Sequence, residues 1–244
     1  MTGDCLLVED HGDGVRVLTL NRPERLNALD GELVHRLIAE LDRAAGRHPD
    51  VRVLVLRGAG TSFCPGADLK WAGGLRDRGA HAAFQDSLNS LCTKLSTAPQ
   101  AVIAAVHGYA LAGGLETALA CDIVVTAADA SLGDEHINRP ILPGAGGSQR
   151  LPRKIGQSRG LFYLLTGRRM TGAEAAQFGL AAFSVPRPEL DAATLGLARE
   201  VAGKDGHAID LMKQAVRRGL ELPLTDALSL ELFLQSRFRA RAHA

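Results

Sequence analysis

The chain has 244 residues, 46% hydrophobic and 23% charged, with a formal net charge of +1, a balance that fits a globular protein of one large or two small domains. Near-neutral charge leaves no electrostatic footprint for nucleic acid, and the densest basic run, Arg237-Phe-Arg-Ala-Arg241, reads as a solvated helix end. No apolar run approaches the ~20 residues of a membrane-spanning helix, no basic-then-apolar leader opens the chain, and the four cysteines lack metal or disulfide spacing. The expectation is a cytoplasmic protein with reduced thiols, no membrane association and no metal site.

Val15-Arg-Val-Leu-Thr-Leu20 predicts a strand, ended by Asn21-Arg22-Pro23. A helix follows from an Asp30 N-cap, with Leu33, Val34, Leu37, Ile38 and Leu41 on one face and Gly46 and Pro49 closing it. Val51-Arg-Val-Leu-Val-Leu56 is a nearly continuous apolar run, as in a strand buried on both faces. A helix over about 80–95 leads to strands at Ala101–Val106 and Ile123–Thr126. Alternating strands and helices imply an α/β layered core.

The stretch Gly108-Tyr-Ala-Leu-Ala-Gly-Gly-Leu-Glu116 reads as a turn opening a helix. Free N–H groups and the positive end of the helix dipole there face an anion, and Glu116 falls on the first helical turn beside them. Backbone donors with an adjacent acid are the minimum kit for enolate chemistry. Taken alone, a glutamate on a first turn is commonly a capping or dipole partner.

After Leu132 the chain turns helical. Pro143-Gly-Ala-Gly-Gly147 opens a helix to about Ile155; it lacks the Walker lysine and the dinucleotide pattern, and reads as a tight turn. Ser158–Leu165 is a further helix, and Thr171-Gly-Ala-Glu174 has capping-box spacing. Beyond Pro188 the apolar positions Leu195, Leu197, Ile209, Met212, Leu228 and Phe233 exceed what one packing partner requires, which points to a subunit interface or to packing on the chain's own core.

Leu20-Asn-Arg-Pro-Glu-Arg-Leu-Asn-Ala-Leu29, Phe63-Cys-Pro-Gly-Ala-Asp-Leu-Lys70, His107–Glu116 and Leu142-Pro-Gly-Ala-Gly-Gly-Ser-Gln-Arg150 together resemble the crotonase (enoyl-CoA hydratase/isomerase) family along nearly the whole chain. The resemblance implies an α/β spiral of β-β-α units over residues 1–188 holding an acyl-CoA site. It implies a C-terminal helical region over 189–244 that builds homotrimers or dimers of trimers. The ligand would be an acyl-CoA thioester, coenzyme A being part of the substrate, with no further cofactor. By position, the amides of Ala67 and Gly113 would form the oxyanion hole and Glu116 would be the first catalytic acid. Arg25 and Lys70 would contact CoA, with a strand around Pro65, Ala67, Asp68 and Leu69 along its nucleotide end; taken singly, Arg25 and Lys70 read nearly as well as surface charges.

Two departures matter. Counted without gaps from Glu116, the second acid of the family falls on His136. Three readings stay open: the imidazole replaces the acid, since its ordinary pKa near 6.5 allows proton exchange at neutral pH; Glu135 or Asp134 turns into the site; or the chain binds acyl-CoA without turnover. Relatives also continue past the helix at Leu232–Phe238, whereas this sequence stops at Ala244, so a more open CoA pocket is expected. Trp71 and Phe84 read as core or lid packing, His107 as structural and Cys64 as a packing residue.

Overall fold

The computed structural model describes residues 4–75 and 77–241. The first and last three residues, over which the expectations about a leader and the chain end run, lie outside the described residues. The strands are β1 Leu6–Asp10, β2 Val15–Leu20, β3 Val53–Gly58, β4 Ala101–Val106, β5 Tyr109–Leu111, β6 Ile123–Ala127, β7 Ser131–Gly133, β8 Met170–Thr171 and β9 Phe183–Val185. The helices are α1 Gly31–Gly46, α2 Leu69–Ala72, α3 Arg78–Thr97, α4 Gly113–Ala120, α5 Gly147–Ile155, α6 Gln157–Thr166, α7 Gly172–Gln177, α8 Leu190–Ala202, α9 Gly206–Gly219 and α10 Leu224–Arg241.

Six strands form the larger sheet in the order β1-β2-β3-β4-β6-β9, and β5-β7-β8 form a smaller one. Only the β1-β2 edge of the larger sheet is antiparallel; from β2 to β9 the neighbours run parallel, in register Val15↔Val53, Val53↔Ala101, Ile103↔Ile123 and Val125↔Phe183. Parallel strands covered on both faces need apolar residues throughout, and every residue of β4, Ala-Val-Ile-Ala-Ala-Val, is buried. Isolated bridges Leu29↔Ala67 and Cys64↔Ala110 continue the smaller sheet's direction through the loops. Each turn of the chain thus runs from the large sheet across to the small one and back through a helix, which is the expected spiral.

α1 begins where predicted: the Asp30 side chain accepts from the Leu33 amide, and Leu33, Val34, Leu37 and Leu41 are buried. α7 carries the full capping box between Thr171 and Glu174. The second strand runs two residues later than expected, since Val51 is buried outside the ladder while Arg57 and Gly58 belong to it. The segment Pro65–Leu69 is not a strand: Ala67 makes one bridge, and Leu69 already starts α2. The division expected after residue 188 also needs correcting. α8 starts just beyond it and packs on β2, β3, β4 and β6 with Leu190, Thr194, Ala198 and Ala202 buried, so the core extends through Ala202. α10 packs mainly on α9. No described helix is long and apolar enough to cross a membrane.

Candidate active site

α4 is the centre of the site, and all eight of its residues are buried. Ala112, just before it, has φ 47° and ψ −120°, the first central position of a type II′ turn, which a residue with a Cβ occupies at a cost of order 1–3 kcal/mol. Its amide bonds the Gly133 carbonyl at 2.9 Å, so the strained turn is tied to β7. Gly114 is required by close approach: a Cβ there would lie 2.0 Å from the Cys64 carbonyl oxygen. This contact lays the N-terminus of α4 against the loop that carries Ala67. A Cβ built on Gly66 would lie 3.1 Å from the Gly113 nitrogen, and one on Gly113 would lie 3.7 Å from the Ala67 nitrogen. Among the described residues neither of those two amides donates a hydrogen bond. Two unspent N–H groups therefore lie close together, as a donor pair for a developing oxyanion requires.

Glu116 is 2% exposed. Its Oε1 accepts from the amides of Ala145 and Gly147, each at 2.8 Å, which leaves Oε2 as the free oxygen. Burial pushes its carboxyl above the ordinary range; the Gly147 and Ala145 amides and His136 pull the other way but do not prevail. The turn read from sequence as a plain entry into α5 thus fixes the glutamate. Arg150 in turn donates to the Ala145 carbonyl at 2.5 Å and braces that turn.

His136 is 8% exposed and its Nε2 faces Glu116 Oε2 at 3.8 Å. On the other side its Nδ1 meets Asp134 Oδ1 at 2.8 Å, and Asp134 is 2% exposed. Burial alone lowers the pKa of the ring, yet the Asp134 hydrogen bond and charge, together with Glu116, outweigh it and raise the value. Between them Glu135 adopts the left-handed conformation, φ 54°, at a cost of about 1 kcal/mol. Its carboxylate leaves the site to pair with Arg169. The structure thus brings Glu116 and His136 together with Asp134 behind the ring, and gives Glu135 to a different partner.

The model of the Enoyl-CoA hydratase/isomerase family matches residues 10–244. The chain belongs to that family. Curated relatives from this superfamily, the crotonases, include the Probable enoyl-CoA hydratase of Rhizobium meliloti, 39% identical over 236 residues, covering 95% of this chain and 88% of the relative. Another is the human Enoyl-CoA hydratase domain-containing protein 2, mitochondrial, 38% identical over 226 residues, 89% of this chain and 76% of the relative. Among solved structures, the enoyl-CoA hydratase of Bacillus anthracis superposes with a TM-score of 0.92 at 35% identity, covering 96% of this chain and 90% of that one. One from Mycobacterium smegmatis gives 0.91 at 27% identity, covering 96% and 90%.

Within the crotonase frame the remaining predicted residues fall on two adjoining segments. Arg25 ends the exposed 3₁₀ turn Pro23–Arg25, Lys70 and Leu69 lie exposed on α2, and Pro65 is half-buried before it. Asp68 serves the protein itself: it accepts from the Lys70 and Trp71 amides at 3.1 and 3.2 Å and pairs with Arg22 at 3.0 Å. Asn27 reinforces the junction, donating to the Ala59 and Ser62 carbonyls at 2.8 and 2.7 Å. Trp71 and Phe84 meet edge to face with ring centroids 4.7 Å apart. His107 contacts the Gly60 carbonyl at 3.1 Å. Burial raises the Cys64 thiol to about 12, which removes it as a nucleophile. Sequence reasoning missed the amides of Ala145 and Gly147, and took Asp134 only as a substitute acid. A loop amide has no residue-type signature, but Asp at two positions from His on a strand exit is a readable pattern.

Proposed function

We propose that the chain hydrates a 2-enoyl-CoA thioester, or dehydrates the corresponding 3-hydroxyacyl-CoA, with Glu116 and His136 as the acid/base pair. The observation that carries this reading is the 3.8 Å separation of His136 Nε2 and Glu116 Oε2, beyond a direct hydrogen bond and within reach of one water about 2.8 Å from both. As that water's oxygen bonds C3, its proton passes to one of the pair. The electrons of the double bond move toward the thioester, whose oxygen is held by the amides of Ala67 and Gly113. The enolate then takes a proton at C2 from the pair, which returns to its starting charge. Loss of one such amide in comparable sites costs about 3 kcal/mol of transition-state stabilisation.

In this reading Arg25 and Lys70 flank the CoA phosphates, and the Pro65–Leu69 segment contributes backbone, the Asp68 carboxylate being engaged by Arg22. The exposed apolar side chains Met212, Val216, Leu220, Leu224, Leu232 and Phe233 on and between α9 and α10 support assembly into trimers or paired trimers. The Asp134–His136 contact favours a second reading of the same site, water attack on the thioester carbonyl to release CoA and a carboxylic acid.

The deciding experiment incubates the purified protein with enoyl-CoAs of graded chain length in ¹⁸O-labelled water and D₂O. Label at C3 with deuterium at C2 supports hydration; free CoA supports hydrolysis. Glu116→Gln and His136→Ala are each expected to lower kcat by roughly 10²–10⁴-fold. Tight acyl-CoA binding without either product would overturn both readings, and full activity in His136→Ala would remove the imidazole from the chemistry.

A further inference from the structure

The exit of β7 places three ionisable residues in succession, and the middle one, Glu135, is drawn outward to Arg169. The flanking two meet inside: Asp134 Oδ1 lies 2.8 Å from His136 Nδ1. We propose that Asp134 is the positioning residue of His136, holding the ring with its neutral-state proton on Nδ1 so that Nε2 presents a lone pair toward Glu116.

Three observations support the assignment. As a carboxylate, Asp134 only accepts, so its contact requires a proton on Nδ1 and leaves Nε2 as the acceptor of the neutral ring. Second, the ring is the one polar side-chain partner of Asp134 among the described residues, no lysine or arginine lies in ion-pair reach, and its Oδ2 is buried with no hydrogen bond. Burying a carboxylate is costly unless it is paired, and the imidazole is the partner that compensates it here. Third, Gly147 leaves room for it: a Cβ at that position would stand 2.3 Å from Asp134 Oδ2 and 3.3 Å from Glu116 Cγ. The helix entry that fixes Glu116 therefore also fits around Asp134, and ring and carboxylate are set by one backbone turn.

What the ring does with its lone pair rests on the hydratase reading; where the proton sits does not. The test uses the full chain labelled with ¹⁵N-histidine, the His136 signals being those lost in His136→Gln, and long-range ¹H–¹⁵N correlations at a pH where the ring is neutral. The expected result is a single tautomer protonated at Nδ1. Asp134→Ala is expected to give mixed tautomers and a fall in kcat on the order of 10²-fold, with KM changed less than about threefold, a split that general destabilisation does not produce. A wild-type ring protonated at Nε2 would overturn the assignment, as would an Asp134→Ala protein with an unchanged tautomer and unchanged kcat. Should that variant fail to fold, the wild-type spectrum decides by itself. A protein that shows the Nδ1 tautomer yet hydrates no enoyl-CoA would overturn the hydratase reading and leave Asp134's role standing.

Discussion

Arg22 and Asp68, 46 positions apart in sequence, form a 3.0 Å ion pair that clamps two loops of the spiral together. The same carboxylate caps α2 directly after Ala67, so the direction of the Ala67 amide depends on it. Asp68→Ala is expected to destabilise the fold by about 1–3 kcal/mol through the lost cap and ion pair. It should also lower kcat about 10-fold by loosening the donor without removing it, a partial form of the loss seen when an oxyanion donor is deleted. Urea unfolding and steady-state hydration kinetics check both; a stable variant with unchanged kcat would detach the clamp from the donor.

Gly147 tests whether Glu116 and Asp134 share one mould. A methyl group there meets Asp134 Oδ2 at 2.3 Å and Glu116 Cγ at 3.3 Å. Gly147→Ala should cost about 1–3 kcal/mol as an overpacking change but reduce kcat by roughly 10²-fold, because displacement of a reacting group by about 1 Å has that effect. Comparing kcat with unfolding midpoints separates the two consequences.

Glu135 is expected to be dispensable. Its ion pair with Arg169 is largely at the surface, and such pairs contribute about 0–1 kcal/mol. Glu135→Ala should keep activity within about twofold of wild type, measured at saturating enoyl-CoA. A loss approaching that of Glu116→Gln would return Glu135 to the list of catalytic acids.

Stability should depend on pH with a definite sign at this site. Burial and neighbouring groups leave both Glu116 and His136 with raised values. For a raised group the folded state binds its proton more tightly, so the contribution is fully present below the ordinary value and is lost as pH rises through the folded one. For His136 the loss therefore begins near 6.5 and continues upward. The stability advantage of wild type over His136→Gln should shrink as pH increases above 6.5, read by urea unfolding at a series of pH values. An advantage that grows with pH would contradict the environment described for the ring.

Much of the fold was legible because long elements carry periodicity. The Asp30 cap, the apolar face of α1 and the continuous run of β4 each pointed to the observed element. β1 escaped because four of its five residues are exposed and its pattern carries no alternation. β5, β7, β8 and β9 are two or three residues long, too short for any period to register. Of the candidate site, Glu116 was legible beside its glycines, whereas the places of His136 and of the Ala67 and Gly113 amides were legible only through the family resemblance. The orientation of Glu116 was not, since Ala145 and Gly147 act through backbone N–H groups that any residue but proline possesses.

The backbone at Ala112 places a standing conformational cost at the entrance to α4. Glycine would occupy φ 47°, ψ −120° without steric penalty, but it would bring more backbone freedom to be lost on folding. Alanine thus trades local strain for a narrower choice of conformations, and every copy of the molecule carries that strain whether or not anything is bound.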